Sequence, residues 1–240
     1  MERLLKSVSL LLLLLFVGVV ARAYEVIQVT NGGTIKGKVK FVGTPPKDET
    51  IQVNVNQDYC GNSLPANKYL ISPSGEIQNV VVIIENIEKG KAVPKEPAVI
   101  NIHKCVYDPR VVIGFKGGEL EVRNSDPIFH NMHLYQDGRT LYNLVLPNKD
   151  QVIKKPLRKA GLLHGKCDPH PWMEEYVYVS EHPYTAITGA DGSFTLTDVP
   201  EGKYKVKAWH EALGEVTKEI EVTGGKATEV NFEFKKQPVL

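Results

Sequence analysis

The sequence predicts an all-β protein, and three observations carry that reading. Apolar and polar residues alternate with a period of two along most of the chain beyond residue 23. Helical spacing of apolar residues is almost absent there. Gly, Asn, Asp and Pro punctuate the alternation at short intervals, as they do between the strands of antiparallel sandwiches.

In chain order, the first expected strand is 34–41, where Ile35, Val39 and Phe41 alternate with lysines behind an Asn31-Gly32-Gly33 turn. The run Val80-Val81-Val82-Ile83-Ile84 marks a doubly buried strand at 79–85. Further strands are expected at 99–102, 110–114 and 119–124, the last two parted by Gly117-Gly118. Segments 131–135, 162–167 and 176–180 follow, the last alternating Tyr with Val. Beyond them come 193–197 after Asp191-Gly192, 203–209 after Pro200-Glu201-Gly202, 216–222, and 227–234 after Gly224-Gly225. Segment 57–74 has no clear period and reads as loop.

The N-terminus has the form of an export signal. Arg3 and Lys6 precede an apolar run from Leu10 to Val20, and Ala21-Arg22-Ala23 offers a small-x-small cleavage site, so residues 1–23 are expected to be removed. The run is short for a membrane span, which needs about 20 apolar residues, and no Cys follows the site to carry a lipid. The expected location is periplasmic or secreted, with no stable membrane span after cleavage. The remaining chain carries 26 basic and 27 acidic residues, a balance that argues against a nucleic-acid partner.

The chemistry is concentrated in Cys167-Asp168-Pro169-His170-Pro171-Trp172-Met173, a thiolate, an imidazole and a thioether three residues apart on a proline-stiffened loop. One Cys and two His in a plane, with a weak axial Met, is the arrangement of a blue-copper electron-transfer site. A second His must come from elsewhere, and the segment from Asn124 to His133 offers it. Strand alternation sends His130 and Met132 to one face and Asn131 and His133 to the other, which makes His133 structural. A zinc site on the same residues competes, but structural zinc ordinarily recruits more thiolates and no thioether. His103, His164, His182 and His210 read as surface or packing residues.

Three Cys in an exported protein leave one unpaired. If Cys167 is a metal ligand, Cys60 and Cys105 form a disulfide; two buried free thiols are the competing reading. Pro169 and Pro171 lack an N–H, so they cannot donate to the thiolate, and they fix φ on either side of His170. Trp172 beside that ligand is expected to sit in an apolar collar where a redox partner docks.

From Ala98 to Ser180 the order of features resembles the cupredoxins, and the ligand loop is similar to that of the amicyanins, with Cys-x-Pro-His-Pro-aromatic-Met. The likeness includes Tyr107 to Val112, Gly117-Gly118, Val122-Arg123-Asn124, Phe129-His130-Asn131 and Val177-Tyr178-Val179. It implies a Greek-key sandwich over 97–181 holding one type 1 copper, with His130, Cys167 and His170 in plane and Met173 axial. It also implies that Asn131 ties the two ligand-bearing segments and offers its backbone N–H to the Cys167 sulfur. The chain departs from many small cupredoxins in having Gly165-Lys166 before the ligand Cys, where those have an aromatic residue.

Residues 188–234 resemble the second half of a carboxypeptidase-regulatory-like, or transthyretin-like, β sandwich. The strands expected at 34–41 and 79–85 resemble the first half. This suggests one sandwich, built from 24–96 and 182–235, into which the other is inserted; a tandem order competes with it. The expected function is an exported one-electron carrier between a donor and an acceptor redox protein, such as a cytochrome or an oxidoreductase. The chain is not expected to be an enzyme, having no His-x-His cluster for further coppers and no Cys-x-x-Cys-His haem site. Copper storage without a redox role and a structural or adhesion module are the alternatives.

Overall fold

The computed structural model describes residues 23–236, so the expected export signal lies outside them except for Ala23. Among the described residues no helix is long and apolar enough to cross a membrane. Strands sort into two packed sandwiches.

The inner sandwich uses only residues between Ala98 and Ser180. One sheet orders Gln151–Pro156, Glu119–Asn124, Ala98–His103 and Val106–Asp108. The other orders Arg139–Leu146, His130–Gln136, Gly161–Lys166, Glu174–Ser180 and Val111–Phe115. Each sheet has one parallel pair, Glu119–Asn124 with Ala98–His103 and Glu174–Ser180 with Val111–Phe115, so the chain crosses between sheets. Alternate residues meet between them, Ile100, Leu120, Val122, Met132, Leu134 and Val177 among them, and the metal-loop residues Cys167 and Met173 belong to the same buried cluster.

The outer sandwich draws on both ends of the chain. Strand Gly33–Val42 pairs antiparallel with Ser193–Val199 and parallel with Ala227–Glu229 and Phe232–Lys235. Strand Val81–Ile84 lies between Thr185–Ile187 and Gly202–His210, with Gly214–Val222 at the edge. Val80 to Ile84 are all buried, and each such side chain contributes roughly 1.5–3 kcal/mol against the entropy of ordering the chain. Gly37 is required where the sheet bends. A Cβ there would stand 1.8 Å from the Val230 carbonyl oxygen, where the last strand breaks. That break divides the segment expected as one strand at 227–234: Val230 donates its N–H to Lys36, and the Asn231 carboxamide takes the Lys38 N–H.

Three expectations need correction. Segment 57–74 is not simply loop: it holds the single-turn helix Gln57–Cys60 and the strand Ser63–Pro65, which pairs with Thr50–Gln52. Strands Arg139–Leu146 and Gln151–Pro156 were not expected. Each is at one edge of its sheet, and most of their residues face solvent, so the apolar alternation that marks a buried face is weak. The 79–85 strand contracts to Val81–Ile84 because Asn79 takes a positive φ of 65°.

Arg110 links the two sandwiches. Its guanidinium binds both carboxylate oxygens of Glu211 at 2.5 and 2.7 Å and donates to the Ala66 carbonyl at 3.2 Å. Tyr176 of the inner sandwich meets Trp209 of the outer edge to face, with ring centroids 5.6 Å apart. The arm formed by residues 50–65, which ends next to Ala66, packs Val53 and Cys60 over one end of the inner sandwich. A disulfide between Cys60 and Cys105 closes it down.

Candidate metal centre

Under that arm lies the predicted cluster. His130 opens strand His130–Gln136, while Cys167 and His170 lie on the loop between Gly161–Lys166 and Glu174–Ser180. The loop is closed by its own backbone: His170 N–H to the Cys167 carbonyl at 3.3 Å, Met173 N–H to His170 at 2.9 Å and Cys167 N–H to Met173 at 3.3 Å. Neither flanking proline could serve in these bonds, which agrees with their positions between the donors. Pro169 is half-buried and Pro171 exposed.

Both imidazoles turn Nδ1 toward the sulfur. The distances to Cys167 Sγ are 3.8 Å from His130 and 3.4 Å from His170, and both rings are fully buried. The three ligand atoms lie within 4.8 Å of one another. Met173 is buried with them. Soft sulfur and imidazole nitrogen converging in a dry pocket fit a copper ion in the set expected from the sequence.

The protonation states suit ligation. Burial, with the neighbouring His130 ring second, pushes His170 down to about 4, which keeps it neutral near pH 7. Burial pushes the Cys167 thiol up, opposed by hydrogen bonds from the backbone N–H of Asn131 and of His170 and from the Tyr107 hydroxyl. A bound cation would therefore displace the thiol proton.

Asn131 joins the two ligand segments with its side chain as well. It donates to Asp168 Oδ2 at 2.6 Å and accepts the Asp168 N–H at 2.8 Å. His133 points away from the cluster and bonds Asp168 and Thr140 instead. Met132 is buried in the core. His210 packs in the outer sandwich against Tyr69 and Phe234. Lys166 is exposed and lies 4.0 Å from Glu174.

Trp172 lies beside His170 in apolar surroundings. The ring is half-buried, its Nε1–H donates to the Cys105 carbonyl at 2.9 Å, and it packs beside Val53, Cys60 and Cys105. The arm covers one side of the ring. The exposed apolar side chains at this end are instead Val55 and Tyr59 of the arm and Phe129 beside the ligand His130.

Several residues of the site escaped the sequence reading. Asp126 is fully buried and accepts from His130 Nε2 at 3.0 Å, from the Lys104 and Cys105 N–H groups at 2.7 and 2.8 Å, and from the Tyr59 hydroxyl at 2.9 Å. Burial opposes its ionisation, yet these bonds hold it at about 2. Lys104 and Cys105 both have positive φ at the tip of the Ala98–His103/Val106–Asp108 hairpin, which turns their successive N–H groups onto the carboxylate. Asn124 clamps the turn to His130 by donating to the Leu146 carbonyl and accepting the Asp126 N–H. Tyr107 is buried, with its hydroxyl 2.5 Å from the Asn131 carbonyl. Asn56 reaches His170 from the arm. Only Asp126, four residues before His130 in an Asn-Ser-Asp-Pro turn, had a local signal.

Residues 176–235 match the model of the carboxypeptidase regulatory-like domain. The match begins inside strand Glu174–Ser180, whereas the outer sandwich resumes with Thr185–Ile187. No curated protein matches the chain. Among solved structures, a copper-containing nitrite reductase from Thermus scotoductus SA-01 is 20% identical over 38% of this chain, with a TM-score of 0.32. The alignment spans 24% of that reductase. A purple cupredoxin from Nitrosopumilus maritimus is 22% identical over 35% of this chain and 99% of its own, with a TM-score of 0.30. Amicyanin from Paracoccus versutus is 25% identical over 41% of this chain and 97% of its own, with a TM-score of 0.32. The C-terminal part of the outer sandwich is thus similar to the carboxypeptidase regulatory-like domain.

Proposed function

We propose that the protein is an exported carrier of single electrons that holds one type 1 copper between His130, Cys167, His170 and Met173. The observation that carries this reading is the convergence of both Nδ1 atoms on the buried Cys167 sulfur. Copper would supply the one-electron couple. The chain's own part is to keep the ligands still. The loop is cross-bonded and proline-stiffened, His130 is held by Asp126, and Asn131 pins Asp168 beside the thiolate. Ligands fixed before the electron arrives need little rearrangement when it does.

The donor and acceptor would be redox proteins. They would approach the end of the inner sandwich where Phe129, Val55 and Tyr59 are exposed, since apolar and aromatic residues are the usual centre of such contacts. Adding one equivalent of Cu(II) to the reduced protein tests the reading. An intense thiolate-to-copper visible band should appear and be absent in Cys167→Ser. A wild-type protein that binds no copper, or binds it without the band, would overturn the proposal.

A further inference from the structure

One turn of the arm meets the remote nitrogen of His170 directly and that of His130 through Asp126, and that turn is built against local preference. Asn56 is the N-cap of helix Gln57–Cys60, with φ 52° and ψ 38°, and its side chain makes no capping bond. An Asn at this position ordinarily accepts a first-turn N–H, which stabilises a helix by about 1 kcal/mol. Here the carboxamide is turned outward from the helix, and its Oδ1 lies 2.9 Å from His170 Nε2. A local rule set aside in this way calls for a compensating contact elsewhere, and His170 is that contact.

The same turn reaches the other ligand. Tyr59 donates to Asp126 Oδ1 at 2.9 Å, and Asp126 Oδ2 lies 3.0 Å from His130 Nε2. Cys60 then bonds covalently to Cys105, whose N–H meets Asp126 and whose carbonyl holds Trp172. Gln57 ties the turn to the Val53 carbonyl at 2.6 Å.

We propose that residues 56–60 form a brace for the metal ligands, in which Asn56 is a positioning residue for His170 and Tyr59 positions His130 through Asp126. This rests on His130, Cys167 and His170 being metal ligands. An acceptor at Nε2 keeps the proton on that nitrogen and leaves Nδ1 free to face the sulfur, and it fixes the tilt of the ring. Five residues of an arm that leaves the outer sandwich thereby take part in a site whose ligands all lie in the inner one.

The test uses the full chain and two readouts. Asn56→Gly keeps the left-handed backbone conformation and removes the carboxamide, and Asn56→Asp keeps an acceptor. Nitrogen-15 NMR of the metal-free protein should show a His170 Nε2–H protected from exchange in the wild type and in Asn56→Asp, and exposed to exchange in Asn56→Gly. Competition with a chelator for Cu(II) should then show about tenfold weaker binding in Asn56→Gly, the low end of the usual cost of losing such a partner. Tyr59→Phe should leave the His170 signal unchanged and shift that of His130. An Nε2–H equally protected in Asn56→Gly, or a His130 signal unmoved by Tyr59→Phe, would overturn the corresponding half of the brace. Failure of the wild type to bind copper would instead overturn the metal reading, with the metal-free spectra still deciding the contacts.

Discussion

Asp126 and His130, four residues apart across one turn, meet at 3.0 Å between Oδ2 and Nε2 with neither side chain exposed to solvent. The carboxylate sits in a ring of four donors, so its charge is held before any metal arrives. A buried carboxylate behind a metal-facing imidazole fixes the ring and raises its basicity.

Asp126→Asn should weaken Cu(II) binding by roughly 10–100-fold. The amide would present N–H groups to some of the four donors and leave them unpaired. Chelator competition measures the first effect, and a lowered melting temperature reports the second.

Cys167→Ser should remove the visible band while leaving the fold in place. The residue is buried in a cluster with Met132, Leu134 and Met173, and the exchange removes no backbone bond of the loop. Far-ultraviolet circular dichroism should match that of the wild type.

Replacing Cys60 and Cys105 together by Ser should destabilise the protein by about 4 kcal/mol in the chain-entropy account, given a separation of 45 residues. The arm would also lose its covalent hold on the hairpin that carries Asp126's backbone donors. Melting of the wild type with and without reductant, compared with the double variant, checks this. Reductant should have no effect on the variant.

Gly37→Ala should cost roughly 1–3 kcal/mol or prevent folding of the outer sandwich, because the new Cβ would overlap the Val230 carbonyl. Comparing its unfolding midpoint with that of Lys38→Ala, an exposed neighbour, isolates the steric effect.

Low pH should weaken the outer sandwich through His210. Burial, together with the charges of Arg110 and Lys68, lowers this imidazole to about 4, and the Ala212 N–H donates to its Nδ1. An unfolded His titrates near 6.5, so between about 6.5 and about 4 the unfolded chain binds the extra proton. Stability therefore falls as pH drops through that window, by up to roughly 3 kcal/mol from this group. Melting curves from pH 7 to pH 4 should be flatter for His210→Gln than for the wild type.

The interior strands and the ligand loop were legible because their information is local. Alternation marked Glu119–Asn124, and the Cys-x-x-His-x-x-Met spacing placed three donors on one loop. The edge strands were not legible, since Gln151–Pro156 has no buried residue to set its period. Nor was Asn56, which lies 114 positions from His170 and meets it only because a second sandwich brings it there. The half-burial of Trp172 was illegible for the same reason. Nothing near it in sequence announces the arm that half-covers it.

The interleaving of the two sandwiches sets an order of assembly. Strand Val81–Ile84 is synthesised early, yet its partner Gly202–His210 comes more than a hundred residues later. The inner sandwich, with contacts confined to one continuous stretch, can close while that apolar strand is still waiting. The newly made chain thus carries an unpaired, fully apolar strand until its last fifty or so residues emerge, and exposed strands of this kind are prone to aggregate. Truncation at Ser180 would leave the inner sandwich preceded by an apolar strand that has lost both its partners.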